Sequence, residues 1–231
     1  VNEAYAVLDG PFGQFVRADM EAKTGLAILG FGDTGGLFVL TNSKRPIHRP
    51  ADMAGLRIRT MAFPPHKVVV SSLGAEAVTI PWNYVLDALL TGLADGQINP
   101  ISTTRYGRLH TVQKYLTMTN HAYVPFLWTA NLEMLASLGD KDRKIVTEAV
   151  TSGVRASRAM AVSVKGEQLA ALLPSVQINY PTEAELSAFR QATRPAARTF
   201  IAETLGEEGT RFLDRFLAAV DQVRRDRKAS N

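Results

Sequence analysis

The sequence predicts an α/β fold. Runs with strand patterning alternate with helical patterns up to residue 132, and helices dominate afterwards. No repeat period and no low-complexity linker interrupts that order. The 231 residues suffice for one large or two small domains, and a hydrophobic fraction of 46% beside a charged fraction of 21% is ordinary for a globular chain.

The elements follow in order. "GQFVRADMEAKT" (13–24) sets Phe15, Val16 and Met20 on one stripe of a helix. "GLAILGFG" (25–32) is a short apolar strand, and "DTGGLFVLTNS" (33–43) places a glycine turn before a strand of bulky residues. "RPIHRPADMAG" (45–55) is a proline-punctuated connection with a turn of helix after Pro50. In Leu56-Arg57-Ile58-Arg59 the alternation is that of a strand, with Leu56 and Ile58 on one face and the arginines on the other. "PPHKVVVSSLG" (64–74) reads as a helix: its prolines suit a first turn and Gly74 a C-cap, although three consecutive valines lean towards strand.

"AEAVTI" (75–80) is a strand, and "PWNYVLDALLTG" (81–92) is a helix with Pro81 early and Gly92 late. "DGQIN" (95–99) turns into a short strand, and a helix covers 100–109. "YLTMTNHAYVPFLWTANL" (115–132) is two strands, or one strand bent at Asn120-His121. A helix runs from Asp140 towards 172, and its small residues Ala149, Ser152, Gly153, Ala156 and Ala159 allow close packing. "SVQINY" (175–180) is one more strand. Two helices, 182–204 and 206–228, close the chain, with start signals at Pro181-Thr182-Glu183 and Gly206-Glu207-Glu208.

Several function classes drop out. No stretch approaches 18 unbroken apolar residues, which argues against a membrane-spanning helix. The first residues carry neither a basic region nor an apolar core of a signal peptide, so the expectation is a processed or incomplete chain. Without cysteine there is no disulfide, thiolate metal site or cysteine nucleophile. Most of the net charge of +4 sits in "RRDRK" (224–228), which reads as a solvated helix end. The nearly neutral remainder carries no nucleic-acid footprint. His48, His66, His110 and His121 form neither an i, i+4 pair nor an HExxH motif, so no metal or cofactor is expected. A G-x-S-x-G elbow and a phosphate-binding loop are also absent, leaving an enzyme reading without a motif.

Three segments stand in a telling order: "TNSKRPIHRPADMAGLRIR", "LGAEAVTIPWNYVLDALLTGLADGQINP" and "VQKYLTMTNHAYVPFLWTANLEMLASL". Together they resemble the solute-binding proteins of TRAP transporters, the DctP-like family. The resemblance implies a two-lobed periplasmic binding protein-like fold, type II-like, with strand crossovers and long C-terminal helices. Family members carry further N-terminal residues, so the first strands and helices of lobe one are expected to be missing. Residues 1–36 and 125–165 are then the remnant of lobe one, 37–124 and 166–195 form lobe two, and 196–231 are helices packing across the lobes. The implied function is that of a periplasmic receptor without catalysis. It closes by a hinge on a small organic acid and delivers it to a membrane permease that uses a sodium gradient.

The resemblance also assigns site residues. The family's arginine at the end of the "GLRIR" strand forms a bidentate pair with the solute carboxylate, and here it is Arg59. The physics agrees, because ligands of open α/β sheets bind outside the carboxyl ends of strands, and a guanidinium fork matches a carboxylate as lysine cannot. Arg57 reads as a solvated charge. Asn99 of "DGQINP" can donate to a carboxylate and accept from a hydroxyl, against the plainer reading of a turn residue beside proline. Trp82, at a helix start, either covers the solute body or packs in the core, and Trp128 lines either pocket or core. Where relatives often carry a second arginine, this chain has Phe38 or Val39. That favours a monocarboxylate with an apolar body over a dicarboxylate. A rival reading is a truncated relative that binds no solute and serves as an interaction or sensory module, its open apolar surface covered by a partner such as a second copy of the chain.

Overall fold

The computed structural model describes residues 1–229. In chain order it contains α1 (Asn2–Asp9), α2 (Pro11–Thr24), β1 (Leu26–Asn42), β2 (Arg57–Thr60), α3 (Pro64–Ser72), β3 (Glu76–Thr79), α4 (Val85–Leu90), β4 (Gly96–Pro100), α5 (Ile101–Tyr106) and β5 (Tyr115–Thr117). β6 (Tyr123–Asn131), α6 (Leu132–Ser137), α7 (Asp140–Ser163), α8 (Lys165–Leu172), β7 (Gln177–Asn179) and α9 (Glu183–Ala229) complete it. The chain divides into two compact units. One comprises Val1–Gly36, Tyr123–Ser163 and the residues from Arg211 on; the other comprises Leu37–Ala122 and Val164–Thr210.

The second unit is built on a sheet of strand order β3-β2-β4-β1-β5-β7. β2 runs parallel to β3 and β4, whereas β1 is antiparallel to β4 and β5. The carboxyl ends of β2, β3 and β4 therefore share one edge, and the register Phe38↔Pro100 puts Phe38 there too. Val39, Ile101, Leu116, Met118, Leu172 and Val176 form one apolar cluster of this unit. A second cluster gathers Val85, Ala88, Leu89 and Leu109 around α4. Gly96 makes the central pairing possible: a Cβ there would stand 2.3 Å from the Thr41 carbonyl and 2.9 Å from Ile58 Cδ1.

In the first unit β6 pairs with β1. Phe12 of α2 meets Phe212 and Phe216 of α9 at 5.3 and 5.4 Å between ring centroids. Arg158 of α7 forks onto Asp9 at 2.6 and 2.9 Å and donates to the Phe31 carbonyl. Gly153, on the small-residue face of α7, admits the Trp128 ring; a Cβ would lie 3.1 Å from its Cη2.

Several sequence readings change. The glycines at 35 and 36 do not break the strand, because β1 runs continuously over 17 residues. Both glycines adopt positive φ (113° and 97°), and the Asp33 carboxylate accepts both their N–H groups at 2.6 Å. The helix expected from 140 to 172 is two, α7 and α8, parted at Val164. The 81–92 helix shortens to α4 behind a 3₁₀ turn at Trp82–Tyr84, and α1 and α6 were not foreseen. Gly206 breaks α9 with φ 61° and ψ −148°, which makes two helices of it. The expected C-terminal segment ends at 231, and residues 230–231 lie outside the described ones.

Candidate functional site

The strand "RIRT" aims its two arginines at different tasks. Arg57 is not a merely solvated charge. Its backbone N–H donates to Asp95 Oδ2 at 2.9 Å, and its guanidinium reaches the Gly92 carbonyl at 2.6 Å and Asp95 at 3.4 Å. Lys44 adds a contact to Asp95 at 3.4 Å. Burial opposes the charge on Asp95, but the Arg57 N–H, the Arg57 guanidinium and Lys44 outweigh it and hold the carboxyl below its usual range. Asp95, read from sequence as a turn residue, thus fastens β2 to the start of β4.

Arg59 is treated differently by the fold. It is 3% exposed, and its Nε donates to the Ile80 carbonyl at 2.9 Å. Its guanidinium carbon lies 5.9 Å from the centre of the Trp82 ring. Among the described residues no carboxylate pairs with it, and its two terminal amino groups donate to nothing. Burial alone lowers its pKa. A buried charge is ordinarily paired, and a guanidinium with both prongs open can take an anion.

Asn99 lies on β4, two residues beyond Gln97, which is the register partner of Arg59. Residues at that spacing share a sheet face. Asn99 is 4% exposed and donates through Nδ2 to Gln97 Oε1 at 2.6 Å. Gln97 in turn donates to Thr41 Oγ1 at 2.9 Å and Thr104 Oγ1 at 3.3 Å, and Thr41 donates to Gln113 Oε1 at 2.9 Å. This buried chain fixes the Asn99 amide and leaves its carbonyl oxygen without a donor among the described residues. Sequence reasoning missed Gln97, whose only signal was its place in "DGQINP".

The edge is closed by rings. His66 in the first turn of α3 is 5% exposed, with Phe38 at 5.3 Å and Phe63 at 5.0 Å between centroids. Phe38 also meets His121 at 6.3 Å. Both nitrogens of His66 and the Thr60 hydroxyl are buried without a partner among the described residues. Trp82 is half-exposed and lies over Gly107, where a Cβ would stand 2.7 Å from its ring. The structure thus brings Arg59, Asn99 and Trp82 into one unit. Trp128 belongs to the other, where it packs against Gly32 and Gly153. No cluster of His, Asp or Glu among the described residues has the makings of a metal site.

Residues 1–204 match the family described as bacterial extracellular solute-binding protein, family 7, or DctP. A solute-binding protein of Verminephrobacter eiseniae is 35% identical over 156 residues, 68% of this chain and 46% of that protein. The ectoine-binding periplasmic protein TeaA of Halomonas elongata is 29% identical over 208 residues, 87% of this chain and 59% of TeaA. The chain spans about half the length of these curated relatives. Among solved structures, a TRAP periplasmic solute-binding protein of Ochrobactrum anthropi superposes with a TM-score of 0.86 at 31% identity, over 97% of this chain and 69% of the other. Another from a Polaromonas species, bound to D-erythronate, gives 0.82 at 29% identity, over 95% and 69%. The chain belongs to family 7 of the bacterial extracellular solute-binding proteins, the DctP family.

Proposed function

We propose that this chain is the solute receptor of a TRAP-type transporter and binds a small organic acid through Arg59. The buried guanidinium with two unpartnered prongs carries this reading. Asn99 supplies an amide beside the carboxylate, and Trp82 supplies an apolar surface over the solute body. The position that would hold a second cation is filled by the buried Phe38 and Val39, which favours a single carboxylate. The class of solute draws support from relatives: one is bound to D-erythronate, another to galactonate, and one is named for binding 2,3-diketo-L-gulonate. Residence in the periplasm and delivery to a membrane permease belong to the same proposal. No catalytic step is part of it. Calorimetry with D-erythronate, galactonate and their neutral amides tests it. Acids that bind while their amides do not support the reading, and equal affinity for acid and amide contradicts it.

A further inference from the structure

Beside the Thr60 hydroxyl, a larger polar side chain at this edge is used neither by the fold nor by the pairing assigned to Arg59. His66 sits at the third position of α3, 5% exposed, between the rings of Phe38 and Phe63. Both its nitrogens lack a partner among the described residues. An imidazole buried only to fill space leaves a donor and an acceptor unsatisfied, a penalty an apolar side chain would avoid. Two unmet polar atoms on one ring, within the electrostatic reach of a guanidinium whose own prongs are open, point to one bound molecule that serves both groups.

We propose that His66 is a solute contact that selects for a hydroxyl on the acid held by Arg59, an inference that rests on the carboxylate reading of Arg59. Burial and the neighbouring Arg59 charge both lower the pKa of His66, so the ring is neutral at pH 7. A neutral imidazole carries one N–H donor and one bare acceptor nitrogen. A hydroxyl offers the same pair of functions and satisfies either. A keto oxygen only accepts, so it can serve His66 only where the N–H faces the solute. An alkyl carbon meets neither. The hydroxy acid is expected to bind more tightly than the unsubstituted acid, because a site built to hydrogen-bond a hydroxyl discriminates strongly against the analogue lacking it.

Calorimetry of the 231-residue chain with butanoate, 2-hydroxybutanoate, 3-hydroxybutanoate and D-erythronate tests the proposal. The wild-type protein is expected to prefer at least one hydroxylated acid over butanoate by about tenfold or more. His66→Phe keeps an aromatic ring between Phe38 and Phe63 while removing both nitrogens, and its ratio of hydroxy-acid to butanoate affinity is expected to fall to about one. A ratio left intact in His66→Phe overturns the proposal. So does wild-type binding of all four acids without a hydroxyl preference, a result that leaves the Arg59 reading standing. Should none of the acids bind the wild type, the Arg59 reading fails and this one with it. If His66→Phe misfolds or binds none of the acids, ¹⁵N spectra of the wild-type imidazole decide. Nitrogen signals of His66 that move with D-erythronate and not with butanoate support the contact; signals unmoved by D-erythronate refute it.

Discussion

Replacing Arg59 by methionine is expected to separate binding from stability. The substitution removes one hydrogen bond, from Nε to the Ile80 carbonyl, and leaves that oxygen unsatisfied. Such a loss costs about 1–3 kcal/mol. It also removes a charge that is 3% exposed and pairs with no carboxylate among the described residues. The effective penalty for burying such an ion is several kcal/mol, so its removal offsets the lost bond. The unliganded variant should therefore unfold in urea at a midpoint equal to or above that of the parent. Binding moves the other way. Two charge-assisted hydrogen bonds, each contributing about 1.5–3 kcal/mol, are lost together, which lowers affinity about a hundredfold to ten-thousandfold. Urea titration without ligand and calorimetry with D-erythronate measure the two effects separately. A variant that keeps its affinity but unfolds at a clearly lower midpoint would make Arg59 a structural residue and refute the reasoning.

Other substitutions probe other parts of the structure. Arg59→Lys keeps a cation but loses the fork, and calorimetry should show about tenfold weaker binding or worse. Gly96→Ala drives a Cβ to 2.3 Å from the Thr41 carbonyl, and urea unfolding should report a loss of about 2–3 kcal/mol. Asp95 has a depressed carboxyl pKa when folded, so the unfolded chain takes up its proton first as the pH drops. The stability it contributes is complete above its ordinary pKa of 3.8 and is lost as pH falls through the lower folded value. Asp95→Asn should therefore flatten the acid limb of the stability profile measured by circular dichroism. Gly107→Ala puts a Cβ 2.7 Å from the Trp82 ring, and tryptophan fluorescence should shift as the ring leaves its place.

The local alternation of Leu56-Arg57-Ile58-Arg59 was enough to read β2, and the strand-helix order up to 132 was enough for the fold class. What the alternation could not separate was the fate of two arginines on one nominal face. That depends on Asp95, which is 38 residues away from Arg57 and reaches it only once β4 pairs beside β2. The same limit applies to His66. Its spacing from the other histidines carries no signal, because its ring neighbours are Phe38 from a distant strand and Phe63 from the preceding loop. At Gly35-Gly36 the local signal misled: two glycines suggested a turn, while the Asp33 carboxylate caps their N–H groups and the strand continues. The motif singles out Asn99 as a candidate, yet Gln97 of β4, Thr41 of β1 and Gln113 ahead of β5, which together orient it, share no local pattern. Residues whose task is set by their own strand were legible; residues whose task is set by a non-local neighbour were not.

The pairing of Arg59 with a carboxylate is tested most directly by a crystal structure of the protein with a bound acid such as D-erythronate. The expected result places both terminal amino groups of Arg59 about 2.7–2.9 Å from the two oxygens of one carboxylate, with Asn99 in hydrogen-bond contact. An acid bound elsewhere, with the Arg59 fork still open, would contradict it.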